Sequence, residues 1–394
     1  MTHTHDPAGH RPTDPTIDGR GPARRTLDRR TFVGTLLAGA ATALAACGGD
    51  DGDDTAAPTT TARTSASSTT VAPTTTSTTV EVDPVGGKPA VDAGATTTTV
   101  PGPPVYPLTG LPLPDPAFAA HSALVVKIDN APGARPQTGF NSADIVFEEI
   151  VNDNLTRFAM VFHSQGSDPV GPIRSGRIQD IDLFGAFQHP LFAWSGGNAT
   201  VTAAIRASDL VDIGPSRAAV YFRSSDRKAP HNLYSNTTDL WTQQPPDWRP
   251  PVQQFAYRGD GDSLQGTPSA GLEAKLDAVD VRWLWDAASG TYLRWMEGDP
   301  HQDRASGQIN AQNVVVLVMD YLPGISGSPD AQTLGQNEAF VFTGGNVVHG
   351  IWTRADRLQP FALVADDGKT IRLTPGRTWV ELPRVGTTTP LGPA

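Results

Sequence analysis

The chain has 394 residues, enough for two globular domains with extensions, and its formal net charge of -11 argues against general nucleic-acid binding. Thirty-nine glycines, 35 prolines and only 18% charged residues exclude a helical bundle and point to loop-rich, low-complexity parts. The single cysteine, Cys47, excludes an intrachain disulfide framework and a paired-cysteine metal site.

Residues 1–46 read as a targeting segment. Arg29-Arg30 stand just before Phe32-Val33, in the pattern of a twin-arginine (Tat) export signal, with Asp28 where Ser or Thr is usual. The apolar run from Phe32 to Ala46 is shorter than the ~20 residues a bilayer requires. Leu44-Ala45-Ala46-Cys47 resembles a lipobox, which makes Cys47 the expected lipidation site. The competing reading is a buried cysteine after a Gly/Ala helix. A diacylglycerol with an added acyl chain such as palmitate gives stable attachment, here to the extracytoplasmic face of the cell membrane.

Residues 47–105 form the expected tether, dominated beyond Asp54 by Thr, Ala, Pro and Ser. Such a segment cannot bury enough apolar surface to offset its ordering entropy, so a disordered stalk is expected. The run Asp50, Asp51, Asp53, Asp54 lacks the alternation and closing Glu of a calcium loop and reads as a solvated acidic patch.

Residues 106–245 are expected to form an α/β layered domain. Ala123 to Asp129 and Thr156 to His163 read as strands, as do Leu191 to Trp194 and Ala219 to Phe222, and Ala143 to Val151 reads as a strand or a short helix, with its alternation favouring strand. Apolar spacing predicts a helix over Ile178 to Phe187, and a second over Ala199 to Leu210 with Asn198 as N-cap. Charge and turn residues concentrate between Val170 and Asn198, behind the Gly171-Pro172 corner. The cationic groups are Arg135, Arg157, Arg174, Arg177, Arg223 and Arg227, with Lys228 and His231. Guanidinium forks match phosphate or carboxylate in pairs, so an anion site is expected, against a reading in which these arginines are internal ion pairs. The expected wall of this cleft comprises Asp129, Asn130, Arg135, Asp144, Arg174, Arg177, Arg227, Lys228, His231 and Asn232. Catalytic motifs are poor. No G-x-S-x-G elbow appears, and Ser225-Asp-Arg-Lys228 matches S-x-x-K without the companion motifs of that chemistry. His163, His189 and His231 lack ligand spacing, so neither a metal nor another cofactor is expected.

Residues 246–278 read as a Pro/Gly-rich connection, 279–388 as a mainly antiparallel β domain, and 389–394 as a tail. Val281 to Met296 predicts a hairpin turning at Asp286 to Gly290, with aromatic faces from Trp283, Trp285, Tyr292 and Trp295. These rings either stack on sugars or cover the sheet core. Val314 to Leu322 reads as a buried strand, Ala339 to Phe342 and Val347 to Thr353 as a hairpin across Gly344-Gly345-Asn346. Ile371 to Leu373 and Thr378 to Leu382 complete the pattern.

Several motifs carry a family resemblance. Lys127-Ile-Asp-Asn130, Arg135-Pro-Gln137-x-Gly139, Ala143-Asp-Ile-Val146, Thr156-Arg-Phe158, Val170-Gly-Pro-Ile-Arg-Ser175 and Arg227-Lys-Ala-Pro-His-Asn-Leu-Tyr234 resemble the YerB-like lipoproteins. Gly350-Ile-Trp352 and Pro375-Gly-Arg-Thr-Trp379 extend the likeness into the second half. This is domain-of-unknown-function family 3048, with separate N- and C-terminal parts, and the resemblance implies a bacterial surface lipoprotein without supplying a reaction.

The order of acidic strand, arginine corner, strand, Gly-Gly and helix is also similar to the LytR-type wall-polymer phosphotransferases. That likeness implies polyprenyl-pyrophosphate-linked glycan substrates and Mg²⁺, with Arg174, Arg177 and Asp144 corresponding by position. The sequence therefore leads to a membrane-anchored lipoprotein binding an anionic envelope ligand (a cell-wall glycan or lipid phosphate) or a wall-synthesis protein. A magnesium-dependent phosphotransferase and a purely structural surface protein are the alternatives.

Overall fold

The computed structural model describes residues 104–152 and 154–393, within the unit Ala93–Ala394. The expected signal segment, Cys47 and the tether up to residue 103 lie outside the described residues.

Branched and aromatic residues build the first strands, β1 (Leu124–Asp129), β2 (Ile145–Ile150) and β3 (Thr156–Phe162), each buried on both faces. β3 lies between the other two and is antiparallel to both, with Asp129 and Glu149 each opposite Arg157. The predicted first helix is short, α1 (Asp180–Phe184), and tightens into a 3₁₀ turn at Gly185–Phe187. β4 (Leu191–Ala193) runs parallel to β1, and α2 (Ala199–Ala207) returns the chain to β5 (Val211–Asp212), parallel to β4. Asn198 caps α2 as expected, its side chain accepting from Val201 N at 2.9 Å. A small hairpin follows, β6 (Tyr221–Arg223) with β7 (Leu233–Ser235), and then α3 (Thr237–Trp241).

The second half opens with β8 (Gly271–Leu276), β9 (Val279–Asp286) and β10 (Thr291–Met296). The predicted hairpin closes with Asp286 opposite Thr291. β11 (Asn313–Leu317), β12 (Gly335–Thr343), β13 (Asn346–Arg354) and β14 (Ala362–Ala365) pair antiparallel in succession. The chain ends with β15 (Thr378–Glu381) and β16 (Thr388–Leu391).

The fold is mixed, as expected, but the two halves share one sheet. Among the described residues the largest sheet has 11 strands, with the order β14-β13-β12-β11-β15-β2-β3-β1-β4-β5 and a short strand at Thr267–Pro268 on β13. The seam is β15, which pairs parallel with β11 on one side and with β2 on the other. The expectation of an antiparallel second half is corrected at this strand. β15 is buried along its whole length, and a central strand between two sheet halves is where parallel pairing is supported. Val314 to Leu322 also ends early as a sheet strand, at Leu317, and Leu373 makes only an isolated bridge to Tyr257.

A second, six-stranded sheet is built on β10-β9-β8-β16. Its inward residues Leu272, Val281, Trp283 and Tyr292 join one core with Val126, Met160, Val316 and Trp379 of the main sheet. The opposite face of the main sheet buries Val125, Phe147 and Val161 with Phe184, Trp194, Val201 and Ile205 from around α1 and α2. Period-two alternation along β1 and β3 thus divides their side chains between two cores.

Candidate functional site

The predicted corner forms where the chain from Val170 to Arg174 is threaded between the end of β1 and β7. Asp129 N donates to Pro172 O at 3.0 Å, Arg174 N to Lys127 O at 2.8 Å and Ile173 N to Leu233 O at 2.6 Å. Gly171 is needed for this passage. Its φ is +151, and a Cβ there would come within 2.6 Å of the Tyr234 ring.

This threading places Arg174 beside Asp129. Arg174 Nε stands 3.2 Å from Asp129 Oδ2, within ion-pair reach but off the hydrogen-bond line. The same carboxylate oxygen lies 2.7 Å from His231 Nδ1, which brings the Arg227–Asn232 loop onto the end of β1. Asp129 is buried, whereas Arg174 is 29% exposed and its two terminal nitrogens donate no hydrogen bond among the described residues. Arg157 comes from β3, with Nη1 donating to Ser175 Oγ at 2.8 Å and to Ser175 O at 3.1 Å. Arg177 Nη1 shares the Ser175 hydroxyl at 3.3 Å, and its Nη2 donates to Asn152 Oδ1 at 2.7 Å. Two guanidiniums therefore meet at Ser175, and the charge of Arg174 is near enough to act on Arg157. Burial, followed by the charges of Arg177 and then Arg174, lowers the Arg157 pKa to about 10, against the raising influence of Asp129. A cavity of about 140 Å³ opens beside Arg177, lined also by Asn152, Asn198, Ser326 and Ser328. The Ser328 hydroxyl is buried there without a hydrogen-bond partner.

The remaining predicted residues divide by role. Asn130 and Arg135 clamp each other, since Arg135 Nη2 donates to Asn130 O at 2.9 Å. Arg135 Nη1 also reaches Glu297 at 2.8 Å, tying this loop to the second sheet. Arg227 is committed to backbone, with Nη1 donating to Gly133 O and Arg135 O at 3.0 and 2.9 Å. Asn232 closes its own loop on Ser224 O and Arg227 O and accepts from Arg223. Lys228 is exposed, with no side-chain partner among the described residues. Asp144 is elsewhere. It sits at the start of β2, accepting from His163 N and Ser164 N at 2.7 and 2.6 Å, while burial raises its carboxyl to about 6. Its backbone N bonds Val161 O, so four residues of strand, about 13 Å, separate it from Arg157. Position in the sequence paired Asp144 with the arginines, but strand direction carries it to the opposite end of the sheet.

Under this corner lie two buried charge clusters. On one face of the main sheet, Lys127 bonds Glu149 and, at 2.8 Å, Asp180. Gln179 completes this cluster by donating to Glu149 at 2.6 Å. On the other face, Arg294 bonds Glu148 and His301 and approaches Glu381 at 3.8 Å, while Trp283 Nε1 donates to Glu381 at 2.8 Å. Each cluster has one cation for two carboxylates. Burial, followed by Glu149, raises Asp180 to about 7; burial, followed by Glu148, raises Glu381 well above its ordinary value. His301 is held well below its ordinary value by burial and then by Arg294. Arg294, His301 and Glu381 were missed in the sequence. The available signal was Arg294 itself, a charge between the inward residues Tyr292 and Met296 of an alternating hairpin.

Among the described residues no group of three or more His, Cys, Asp or Glu is placed to hold a metal, and no helix is long and apolar enough to cross a membrane. A mixed sheet shared by two sequence halves, with an arginine corner at the end of its first-half strands, defines the class of protein. The chain belongs to the DUF3048 family: residues 108–247 match the model described as "Protein of unknown function (DUF3048) N-terminal domain" and 272–380 match that of the C-terminal domain. It is similar to a Bacillus subtilis (strain 168) protein described as "Putative lipoprotein YerB", at 26% identity over 298 residues, 70% of this chain and 85% of that one. The crystal structure of YerB protein from Bacillus subtilis matches with a TM-score of 0.64 at 22% identity, covering 73% of this chain and 99% of that chain, a likeness of fold.

Proposed function

We propose that this chain is a lipid-anchored protein of the extracytoplasmic membrane face that binds an anionic envelope ligand at the Arg157, Arg174 and Arg177 corner. The observation that carries the reading is Arg157. It is only 6% exposed, its Nε is buried without a partner, and no carboxylate lies within 4 Å of it among the described residues. A buried cation is ordinarily ion-paired, and one held by the neutral Ser175 groups with no carboxylate in contact suits an anion at a cleft. Arg174 adds the accessible part, with its outer nitrogens donating to no acceptor among the described residues. A planar donor fork of this kind suits phosphate or carboxylate oxygens. The lipobox-like Leu44-Ala45-Ala46-Cys47 and the description of the Bacillus subtilis relative as a lipoprotein support the anchor.

The test is calorimetric titration of the purified full chain with inorganic pyrophosphate and, separately, with a polyprenyl phosphate in detergent. Arg174→Ala is expected to weaken binding at least tenfold. Arg206→Ala, which breaks the pair with Asp212 away from the corner, should leave binding unchanged. Absence of binding to either probe, or equal binding by Arg174→Ala, removes the proposal.

A further inference from the structure

The outward face of the second sheet carries a groove that the arginine corner does not explain. It has a volume of about 580 Å³, and Trp295 forms part of its wall. Alternation along β10 sends Tyr292, Arg294 and Met296 inward and leaves Leu293 and Trp295 on the outer side. Trp283, Trp352 and Trp379 are fully buried, and the half-buried Trp285 packs against the core. Trp295 is also half-buried, and its Nε1 is enclosed without an acceptor.

The surroundings of the ring are mixed in a specific way. Register places Arg282 opposite Trp295 and Glu273 opposite Arg282, and the latter two form an exposed pair at 3.3 Å. Lys275 and Asp280 form a second pair on the same side at 3.5 Å. Thr389 of the edge strand β16 faces Glu273. Two acids and two bases cancel, so the groove selects neither an anion nor a cation. What remains is a flat aromatic surface ringed by hydrogen-bond donors and acceptors. The groove lies on the face of the sheet, so an extended peptide adding itself as a strand would go to an edge and not here.

We infer that this groove is a binding site for a neutral pyranose oligosaccharide. A pyranose has an apolar C–H face that packs on an indole and a rim of hydroxyls that bond charged and hydroxyl side chains. The groove matches both parts, and its volume is in the range of small-ligand sites. This site is independent of the anion corner, since it shares no residue with it.

The test is saturation-transfer NMR of the full chain with a β-1,4-linked N-acetylglucosamine tetramer, together with co-sedimentation on insoluble purified cell-wall sacculi. Transfer to ring C–H protons is expected in the native protein, reduced at least fivefold in Trp295→Ala and retained in Trp295→Phe. Thr389→Arg, on the exposed edge strand, should fill the groove and reduce transfer by a similar factor. Binding to the tetramer alone identifies a soluble glycan, and binding to sacculi identifies a wall polymer. No binding to either by the native protein, or undiminished binding in both Trp295→Ala and Thr389→Arg, overturns the inference. If Trp295→Ala loses its cooperative melt, Thr389→Arg decides.

Discussion

Glu148 and Glu149 are neighbours in the chain and lie on opposite faces of the main sheet, where Glu148 accepts from Arg294 and Glu149 accepts from Lys127. One turn of the strand pleat thus separates two buried ionic systems. Lys127 belongs to β1, two strands from Glu149, whereas Arg294 reaches Glu148 from the second sheet. Together they bolt the layers on either side of β2.

Removing the cation from either system should be costly. Arg294→Met leaves Glu148 with Thr156, and Glu381 with Trp283, as polar partners in the core. Leaving buried carboxylates without their cation costs about 3–5 kcal/mol, measurable by urea unfolding. Adding Glu148→Gln to Arg294→Met should recover part of the loss. Lys369→Ala, which removes an exposed pair with Asp367, is expected to leave the urea midpoint unchanged, because solvent screens that pair.

Stability should depend on pH in the sense opposite to ordinary acid denaturation. Asp180 has a folded pKa of about 7 against an ordinary 3.8. The folded state therefore holds a proton that the unfolded state releases. The contribution is complete below about pH 4 and is lost as pH rises through about 7. Glu381 acts in the same direction. Urea midpoints measured from pH 4.5 to 7.5 should fall with pH on this account, and Asp180→Asn should flatten the fall. A midpoint slope that Asp180→Asn leaves unchanged would show that Asp180 ionises with the same pKa in both states.

The two halves of the chain should not fold apart. A fragment ending at residue 260 would expose the β2 edge that β15 covers, and the complementary fragment would lose the β2 side of β15. Each is predicted to lack a cooperative thermal transition, because open buried edges associate non-specifically. Co-expression of the halves should restore a single transition, detectable by calorimetry.

At the corner, Asp129→Asn should loosen the loop that carries His231. The carboxylate holds both His231 and Arg174, and its loss removes the charge that draws them together. Amide exchange across residues 224–232 is expected to accelerate at least tenfold, with a global stability loss of about 1–3 kcal/mol. Protection of β3 should be little changed.

Much of this was readable in one dimension. The strands of the first half follow from runs such as Leu124 to Asp129, whose branched side chains suit a sheet buried on both faces. The α2 start follows from Asn198, and the β9–β10 hairpin from alternation around its turn. These features are local, since propensity, capping and pleat act within a few residues. The gathering of Arg174, His231 and Asp129 was also anticipated, because turn residues and charge concentrate in those loops.

The rest depended on pairing across the chain. The sequence by itself determined that cationic groups cluster after Gly171-Pro172 and that an α/β-patterned half and a β-patterned half are joined by a Pro/Gly-rich passage. Only the tertiary structure decided that β15 enters beside β2, that Asp144 stands away from the arginines, and that Arg294 neutralises Glu148 from 146 positions away. It also decided that Trp283 is fully buried in the core and Trp295 only half-buried. The physical reason is that a strand's neighbours and direction are set by long-range burial. No window of sequence shows which distant strand will cover an edge or which buried cation will meet a buried carboxylate.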